Sequence, residues 1–192
     1  MPPLTHPAAA DDIAWPPRTS RPEWPPSPPA LPPGATAWTL LSLGSPSGEP
    51  LARWRRDLAA MTPQPPASVV EIDREALDGW LALLPLWFAA EAARHVVGWR
   101  IAVAGEERAV LAVAAAARSA GLLPTEMVLH ADVANGKRVY CPSCSAVTDA
   151  AGDDRVRCGG CGRLLMIQPH CSRRRGAYLG TLVHEAKEPG DA

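Results

Sequence analysis

Four cysteines in two closely spaced pairs are the residues of this sequence best suited to chemistry. Cys141 and Cys144 form a first CxxC motif, and Cys158 and Cys161 form a second after thirteen intervening residues. Each CxxC motif places two thiolates on one tight turn, and two such turns facing each other create a tetrahedral site with four sulfur ligands. The pattern therefore predicts a metal site built from these four cysteines.

The identity of the metal follows less directly from the spacing. A cage of four thiolates fits zinc, which would be structural, and also the single iron of a rubredoxin-like electron carrier. Rubredoxin-like sites are usually surrounded by aromatic residues, whereas Tyr140 is the only aromatic residue near the two motifs. We therefore expect one zinc ion, with the iron carrier as the alternative. So small a region has little apolar core, and metal binding would supply folding free energy on the order of 10 kcal/mol.

A histidine and a fifth cysteine follow the second motif. His170 and Cys171 are adjacent, and adjacent side chains on an extended backbone point to opposite faces. The histidine is therefore badly placed to activate the thiol as a nucleophile. We expect Cys171 to be a small residue in a bend, and we predict no catalytic residue in this region.

Three consecutive arginines, Arg173 to Arg175, come next in the chain. Zinc ribbons with a basic face often bind nucleic acid, so a nucleic-acid-binding zinc-ribbon protein is a second alternative. However, the formal net charge of the whole chain is -1, and apolar residues follow the arginines directly. A basic strip beside an apolar one favours a surface that docks another protein.

The first 35 residues differ in composition from the rest of the chain. They hold twelve of the 22 prolines, which predicts an extended, mostly unfolded leader. The chain start has no secretory signal pattern, and no apolar run reaches the length of a membrane span. Cysteine pairs in a protein that is not exported indicate metal binding in the reducing cytoplasm. We therefore expect a cytoplasmic protein that is not membrane-bound.

The elements between the leader and the cysteines alternate between strands and helices. Short apolar runs such as "ATAWTLLSLG" and "VVGWRIAVAGEE" are typical of strands, and "PLARWRRDLAAM" and "RAVLAVAAAARSAG" have helical spacing. This order predicts an α/β fold with a small, mostly parallel sheet, followed by a zinc-ribbon-like metal module. We expect a leader at 1–35, an α/β domain at 36–135, the metal module at 136–185 and a disordered tail at 186–192.

The α/β segment resembles the closing part of the pyridine-nucleotide module of ferredoxin-reductase-like flavoproteins. That module has a glycine-containing turn between a strand and a helix, and the corresponding turn here is Ala104, Gly105 and Glu106. An acidic residue stands where a phosphate would approach, and the sequence lacks both GxGxxG and GxxxxGK[ST]. The resemblance thus supports a fold, and we predict no cofactor-binding residue.

A second resemblance covers residues 35–185. The knuckles "CPSC" and "CGGCGRLL" and the frame "HCSRRRGAYLG" resemble the accessory-subunit family of bacterial dimethylamine monooxygenase. Position 171 departs from that family, where an aromatic residue is expected instead of cysteine.

The family resemblance implies a multisubunit enzyme. In that family a reductase with flavin and an iron-sulfur cluster takes electrons from NADPH, and a haem-containing subunit uses oxygen to convert dimethylamine to methylamine and formaldehyde. The resemblance implies metal binding by the four cysteines and a partner-binding surface formed by Ser172, Arg173, Arg174 and Tyr178. We therefore expect an accessory subunit that organises or couples the reductase and the haem subunit, with flavin, cluster and haem on those partners only.

Overall fold

The computed structural model describes residues 20–44, 48–133, 136–152 and 154–183 of the 192-residue chain. The first half contains β1 (Ala37–Leu43), α1 (Glu49–Ala59), β2 (Ala67–Ile72), α2 (Arg74–Ala82), α3 (Leu84–Arg94), β3 (Trp99–Glu106), α4 (Glu107–Ser119), a 3-10 turn (Pro124–Glu126) and β4 (Met127–Val133). The second half contains β5 (Lys137–Tyr140), β6 (Val147–Ala150), β7 (Arg155–Arg157), β8 (Leu164–Ser172) and β9 (Ala177–Leu182).

The first four strands form a parallel sheet in the order β2-β1-β3-β4. Side chains of the central strands alternate between two apolar clusters. Trp38 and Leu40 of β1 lie on the face covered by α1, where they pack with Trp54. Leu41 and Leu43 lie on the opposite face, in the cluster that holds residues of α2, α3 and α4. Strands buried on both faces are typical of parallel sheets covered by helices, and the predicted α/β fold is confirmed.

The α2–α3 region differs from its predicted form. The apolar spacing of Leu77, Trp80, Leu81 and Leu84 predicts one continuous helical face, but α2 ends at Ala82 and α3 starts at Leu84 with Pro85 in its first turn. The break arises because proline lacks the backbone N–H of a continuing helix. No single helix in the described ranges is long and apolar enough to cross a membrane, and only the pair α2 and α3, bent by 75°, reaches that length and composition together.

The remaining strands form a second sheet in the order β6-β5-β9-β8-β7. Its pairs are antiparallel except for the parallel pair β5 and β9. A small cluster containing Val139 and Leu165 fills its interior, together with the buried cysteines Cys141 and Cys158. This core is small, and the sequence predicts that metal binding at the cysteine end supplies further folding free energy.

Helix α4 joins the two sheets because it packs against β9 as well as against β3 and β4. The close approach occurs at Gly176, which has a φ of +56° and where a Cβ atom would clash with the carbonyl oxygen of Leu111. Only glycine accommodates both this conformation and this contact. A second link is made by Arg108, which donates hydrogen bonds to Asp78 at 2.6 Å, to Glu106 at 3.1 Å and to Asp149 of β6 at 3.3 Å.

The described part of the leader, residues 20–35, corrects the expectation of a largely unfolded segment. It contains no helix or strand, as its prolines predict, but it lies against both sheets. Trp24 Nε1 donates to Glu107 at 3.0 Å, Pro29 accepts from Trp54 Nε1 at 2.9 Å, and Leu31 is 5% exposed. Apolar and indole side chains between the prolines bury enough surface to fix the segment. Residues 1–19 and the predicted tail at 186–192 lie outside the described residues.

Candidate metal centre

The two CxxC motifs fold into turns of the same geometry. In the first turn the N–H of Ser145 donates to the carbonyl oxygen of Cys141 at 2.9 Å, and in the second the N–H of Gly162 donates to that of Cys158 at 2.8 Å. Ser145 and Gly162 each follow the first cysteine of their motif by four residues and have φ values of 65° and 72°. Residues with positive φ let the chain turn back sharply behind each cysteine pair.

The glycines of the second motif leave space for the sulfur atoms. A Cβ atom on Gly160 would lie 3.0 Å from Cys144 Sγ and 2.8 Å from the Cβ of Ala146. Any larger residue at this position would push the two turns apart. The N–H of Gly159 donates to Thr148 Oγ1 of β6 at 2.9 Å, so the second turn is attached directly to the strand that follows the first.

The four sulfur atoms converge on one point, with all their mutual distances within 4.8 Å. Cys141 Sγ lies 3.7 Å from Cys161 Sγ, and Cys144 Sγ lies 3.5 Å from Cys158 Sγ. A regular tetrahedron with zinc–sulfur bonds of about 2.3 Å has sulfur atoms about 3.8 Å apart. The arrangement therefore fits a tetrahedral metal ion, and the predicted four-cysteine cluster is confirmed.

The turn backbone stabilises the thiolate form that a metal requires. A hydrogen bond from the backbone of Cys161 lowers the pKa of Cys158 to about 6. A hydrogen bond from the backbone of Ala146 has the largest single effect on Cys144 and acts in the same direction. The contacts with the other three cysteine sulfurs, together with burial, outweigh it and raise the pKa of Cys144 to about 12. Neighbouring sulfurs cannot all ionise unless a cation balances their charge, so the protein alone favours a mixture of thiol and thiolate.

The cage is more consistent with a structural role than with catalysis. Cys141 and Cys158 are buried, and Cys144 and Cys161 are exposed. Four thiolates complete a tetrahedral shell, whereas catalytic zinc sites keep one position open for water or substrate. A metal ion held here would therefore fix the two turns against each other.

Cys171 lies outside the cage and does not lie in a bend, which corrects that prediction. It is part of β8 and is buried against Leu111 and Tyr178. Burial, followed by the charge of Glu107, raises the pKa of Cys171 to about 11, so its thiol stays protonated at neutral pH. Its neighbour His170 is half-buried in the same strand.

The predicted partner-binding residues divide into two groups. Arg173 and Arg174 are exposed, and the half-buried Ser172 closes their turn by accepting the N–H of Arg175 through Oγ at 3.4 Å. Tyr178, in contrast, is 2% exposed. This corrects its assignment to a docking surface, since its ring packs between β9 and α4 within the chain.

A buried carboxylate, Glu107, is the residue at this junction that sequence reasoning missed. It is 4% exposed and its Oε1 accepts hydrogen bonds from Tyr178 at 2.6 Å and from Trp24 Nε1 at 3.0 Å. The only sign of this buried carboxylate in the sequence is the pair of consecutive acids, Glu106 and Glu107, at the start of an alanine-rich helix. The three residues link the leader, the α/β domain and the metal module, whose five strands β5 to β9 are called the ribbon below.

Two buried acids also occupy the end of β3 where a nucleotide phosphate would bind in related folds. Glu106, 2% exposed, precedes α4, and its Oε1 lies 2.7 Å from Arg74 Nη2 in an ion pair with poor hydrogen-bond alignment. Glu107 begins the helix. Carboxylates at a helix N-terminus take the favourable position of an anionic ligand, in agreement with the sequence argument from Glu106.

Comparisons with known proteins match most of the ribbon to a known protein family. Residues 138–181 match the family described as "Dimethylamine monooxygenase subunit DmmA-like, C-terminal domain". The "Heme-dependent oxidative N-demethylase delta subunit" of Ectopseudomonas mendocina (strain ymp) is 34% identical over 93 residues, which are 48% of this chain and 53% of that protein. The chain thus spans about half the length of the curated relative that it matches. No solved structure matches it. The resemblance to the dimethylamine monooxygenase accessory-subunit family is thus confirmed for residues 138–181, and the relative supports it over 93 residues.

Proposed function

We propose that this chain is a cytoplasmic accessory subunit of an oxidative N-demethylase, in which its four-cysteine ribbon is a structural zinc module. The observation that carries the proposal is that the segment matching the demethylase family, 138–181, contains all four cysteines of the cage. The similarity to a subunit named as part of a heme-dependent N-demethylase supports the same class of complex.

The reaction proposed for the complex is the removal of one methyl group from dimethylamine. One dimethylamine, one oxygen molecule, one NADPH and one proton give methylamine, formaldehyde, water and NADP+. NADPH supplies the two electrons, one oxygen atom enters formaldehyde and the other enters water. In our proposal flavin and an iron-sulfur cluster reside in a reductase subunit, haem resides in an oxygenase subunit, and this chain organises or couples the two without an active site of its own.

The arginines at the ribbon's edge support a docking role. Arg173 and Arg174 are exposed and lie in a tight turn between β8 and β9. Guanidinium groups pair with carboxylates in a bidentate geometry that suits contacts between subunits. We propose that these two arginines, with Ser172, contact carboxylates of a partner subunit.

Co-purification from the native host tests this proposal. The tagged chain should recover a haem protein and a flavoprotein, together with about one zinc per copy of the chain. Recovery of nucleic acid instead, or of no protein, would refute it. A purified chain with a visible sulfur-to-iron absorption band that bleaches with dithionite would instead favour the rubredoxin-like electron carrier.

A further inference from the structure

A groove lies between the helices of the α/β domain and the ribbon. Its volume is about 440 Å³, and it runs between α2, α3 and α4 on one side and β5, β6 and the turn before β9 on the other. The groove is therefore built by both halves of the chain, and its shape depends on the junction at Gly176 and Arg108.

The helix side of the groove is mostly apolar, with Asp78 and Ser119 as its polar residues. Its apolar residues include Leu81, Ala82, Pro85, Ala112, Ala115 and Ala116. On the ribbon side Val147, which is 38% exposed, adds another apolar group. Small alanines on two adjacent turns of α4 leave room for larger apolar side chains from a ligand, which would bury surface that is now in contact with water.

Among the described residues, the acidic residues of the groove form ion pairs within the chain, whereas its basic residues do not. Its two aspartates, Asp78 and Asp149, are both bound by Arg108. Its two arginines, Arg138 and Arg175, form no ion pair with a carboxylate in the part of the chain that the structure describes. Both aspartates thus already have a cationic partner, whereas the two arginines can still pair with carboxylates of a ligand.

Two more arginines, Arg118 and Arg173, lie near the same end of the groove. Arg118 of α4 donates to the carbonyl oxygen of Arg173 at 3.0 Å, which brings the 173–175 turn onto the helix. Burial and then the charge of Arg173 lower the pKa of Arg118. Burial also lowers the pKa of Arg138, with Asp149 opposing and Arg108 adding to the effect. Like charges gathered in this way are more stable when an anion lies among them.

Arg175, one of the two arginines that line the groove, is held in place by an aromatic ring. The guanidinium of Arg175 lies 3.6 Å from the centre of the Tyr140 ring. Stacking of this kind restricts a flexible side chain while leaving its N–H donors free. The arginine is thus prepared to bind a carboxylate with little further loss of conformational entropy.

We propose that this groove binds an acidic, apolar peptide segment of a partner subunit, with apolar side chains on the alanine face of α4 and carboxylates on Arg138 and Arg175. The proposal rests on the proposed function and identifies the surface and the partner chemistry. A peptide fits better than a nucleic acid because the floor is aliphatic and the described residues that line the groove include no aromatic ring on which a base could stack.

Photo-crosslinking in the assembled native enzyme tests this inference. The crosslinking amino acid p-benzoylphenylalanine replaces Ala82 on the groove wall, or, as a control, Ala59, which is also exposed and lies on α1. The enzyme is recovered through a tag on this chain, irradiated, and the crosslinked partner peptide is sequenced. We expect a crosslink from position 82 and not from position 59, to a segment of a demethylase subunit with at least two Asp or Glu residues within one helical turn.

Charge variants supply the second measurement. In the double variant Arg138→Gln and Arg175→Gln, the yield of that crosslink should fall at least tenfold. The matched double variant Arg55→Gln and Arg155→Gln removes two exposed arginines elsewhere and should leave the yield within twofold. Circular dichroism and zinc content, unchanged in both variants, exclude loss of folding.

The outcomes separate this inference from the proposed function. Recovery of the assembled enzyme without a crosslink at position 82, or with a crosslink to a segment without acidic residues or to nucleic acid, would overturn the groove assignment alone. Failure to recover any N-demethylating assembly would refute the proposed function, and the groove inference would fall with it.

Discussion

Removing the hydroxyl of Tyr178 tests the junction between the two sheets. The Tyr178 hydroxyl donates to Glu107 at 2.6 Å, and both residues are nearly fully buried, at 2% and 4% exposure. A hydrogen bond to a charged group contributes about 1.5 to 3 kcal/mol. Because phenylalanine fills almost the same volume, the variant Tyr178→Phe should lose about 2 kcal/mol of unfolding free energy.

Urea unfolding at pH 8, followed by circular dichroism and tryptophan fluorescence, measures this loss. Tyr140→Phe is the matched control, since the Tyr140 hydroxyl makes an exposed contact of 3.1 Å with Ser145 and should cost less than about 0.5 kcal/mol. In a double-mutant cycle with Glu107→Gln, the coupling energy should exceed about 1 kcal/mol. Equal losses for the two tyrosine variants, or a coupling near zero, would refute the role given to Glu107.

The same pair gives a pH dependence with a definite sign. Burial, followed by the hydrogen bond to Glu107 and its charge, raises the pKa of Tyr178 well above its ordinary value. Above pH 10 the unfolded chain loses this proton while the folded chain keeps it, so stability falls by about 1.4 kcal/mol per pH unit. The phenylalanine variant lacks this loss. Its deficit should therefore shrink from about 2 kcal/mol at pH 8 to about 0.6 kcal/mol at pH 11, and a constant deficit would contradict the argument.

Three further predictions concern the cage and the junction. Cys158→Ser should lose the bound metal and the circular dichroism signal of the ribbon. Cys171→Ser changes a cysteine outside the cage and should keep about one metal ion per chain by elemental analysis. The reverse result would refute the four-cysteine ligand set. Arg108→Met leaves Glu106 with Arg74 as a poorly aligned partner. The variant should therefore lose about 3 kcal/mol of unfolding free energy in urea. A loss below about 1 kcal/mol would contradict this. Gly176→Ala should separate the sheets and increase proteolysis, whereas Gly121→Ala, also at positive φ but with open space around it, should cost only about 1 kcal/mol; equal sensitivity would contradict the contact with Leu111.

The cage and the parallel sheet could be predicted from the sequence because both depend on local patterns. The CxxC spacing sets each turn by itself, and the alternation of strands with helices leaves few possible topologies. Even so, spacing did not reveal that Ser145 occupies the same positive-φ position in the first turn as Gly162 in the second, since serine rarely adopts that conformation.

The junction could not be predicted because it depends on contacts between distant residues. Trp24 and Glu107 are 83 positions apart, and Glu107 and Tyr178 are 71 apart. Within its own sequence neighbourhood each of these residues has an ordinary explanation: a tryptophan among prolines, an acid at a helix start, and a tyrosine in a strand. Only the packing of α4 on β9 reveals that they share one buried carboxylate, and it turns Tyr178 from a proposed surface residue into a core residue.

Reconstitution with and without this chain tests the central claim most directly. The reductase and haem subunits proposed for the native assembly are purified and mixed with dimethylamine, NADPH and oxygen, and formaldehyde and NADPH oxidation are measured. We predict at least a tenfold increase in formaldehyde per NADPH when the zinc-loaded chain is added, and no increase with Cys158→Ser. Equal formaldehyde yield with and without the chain would contradict its accessory role.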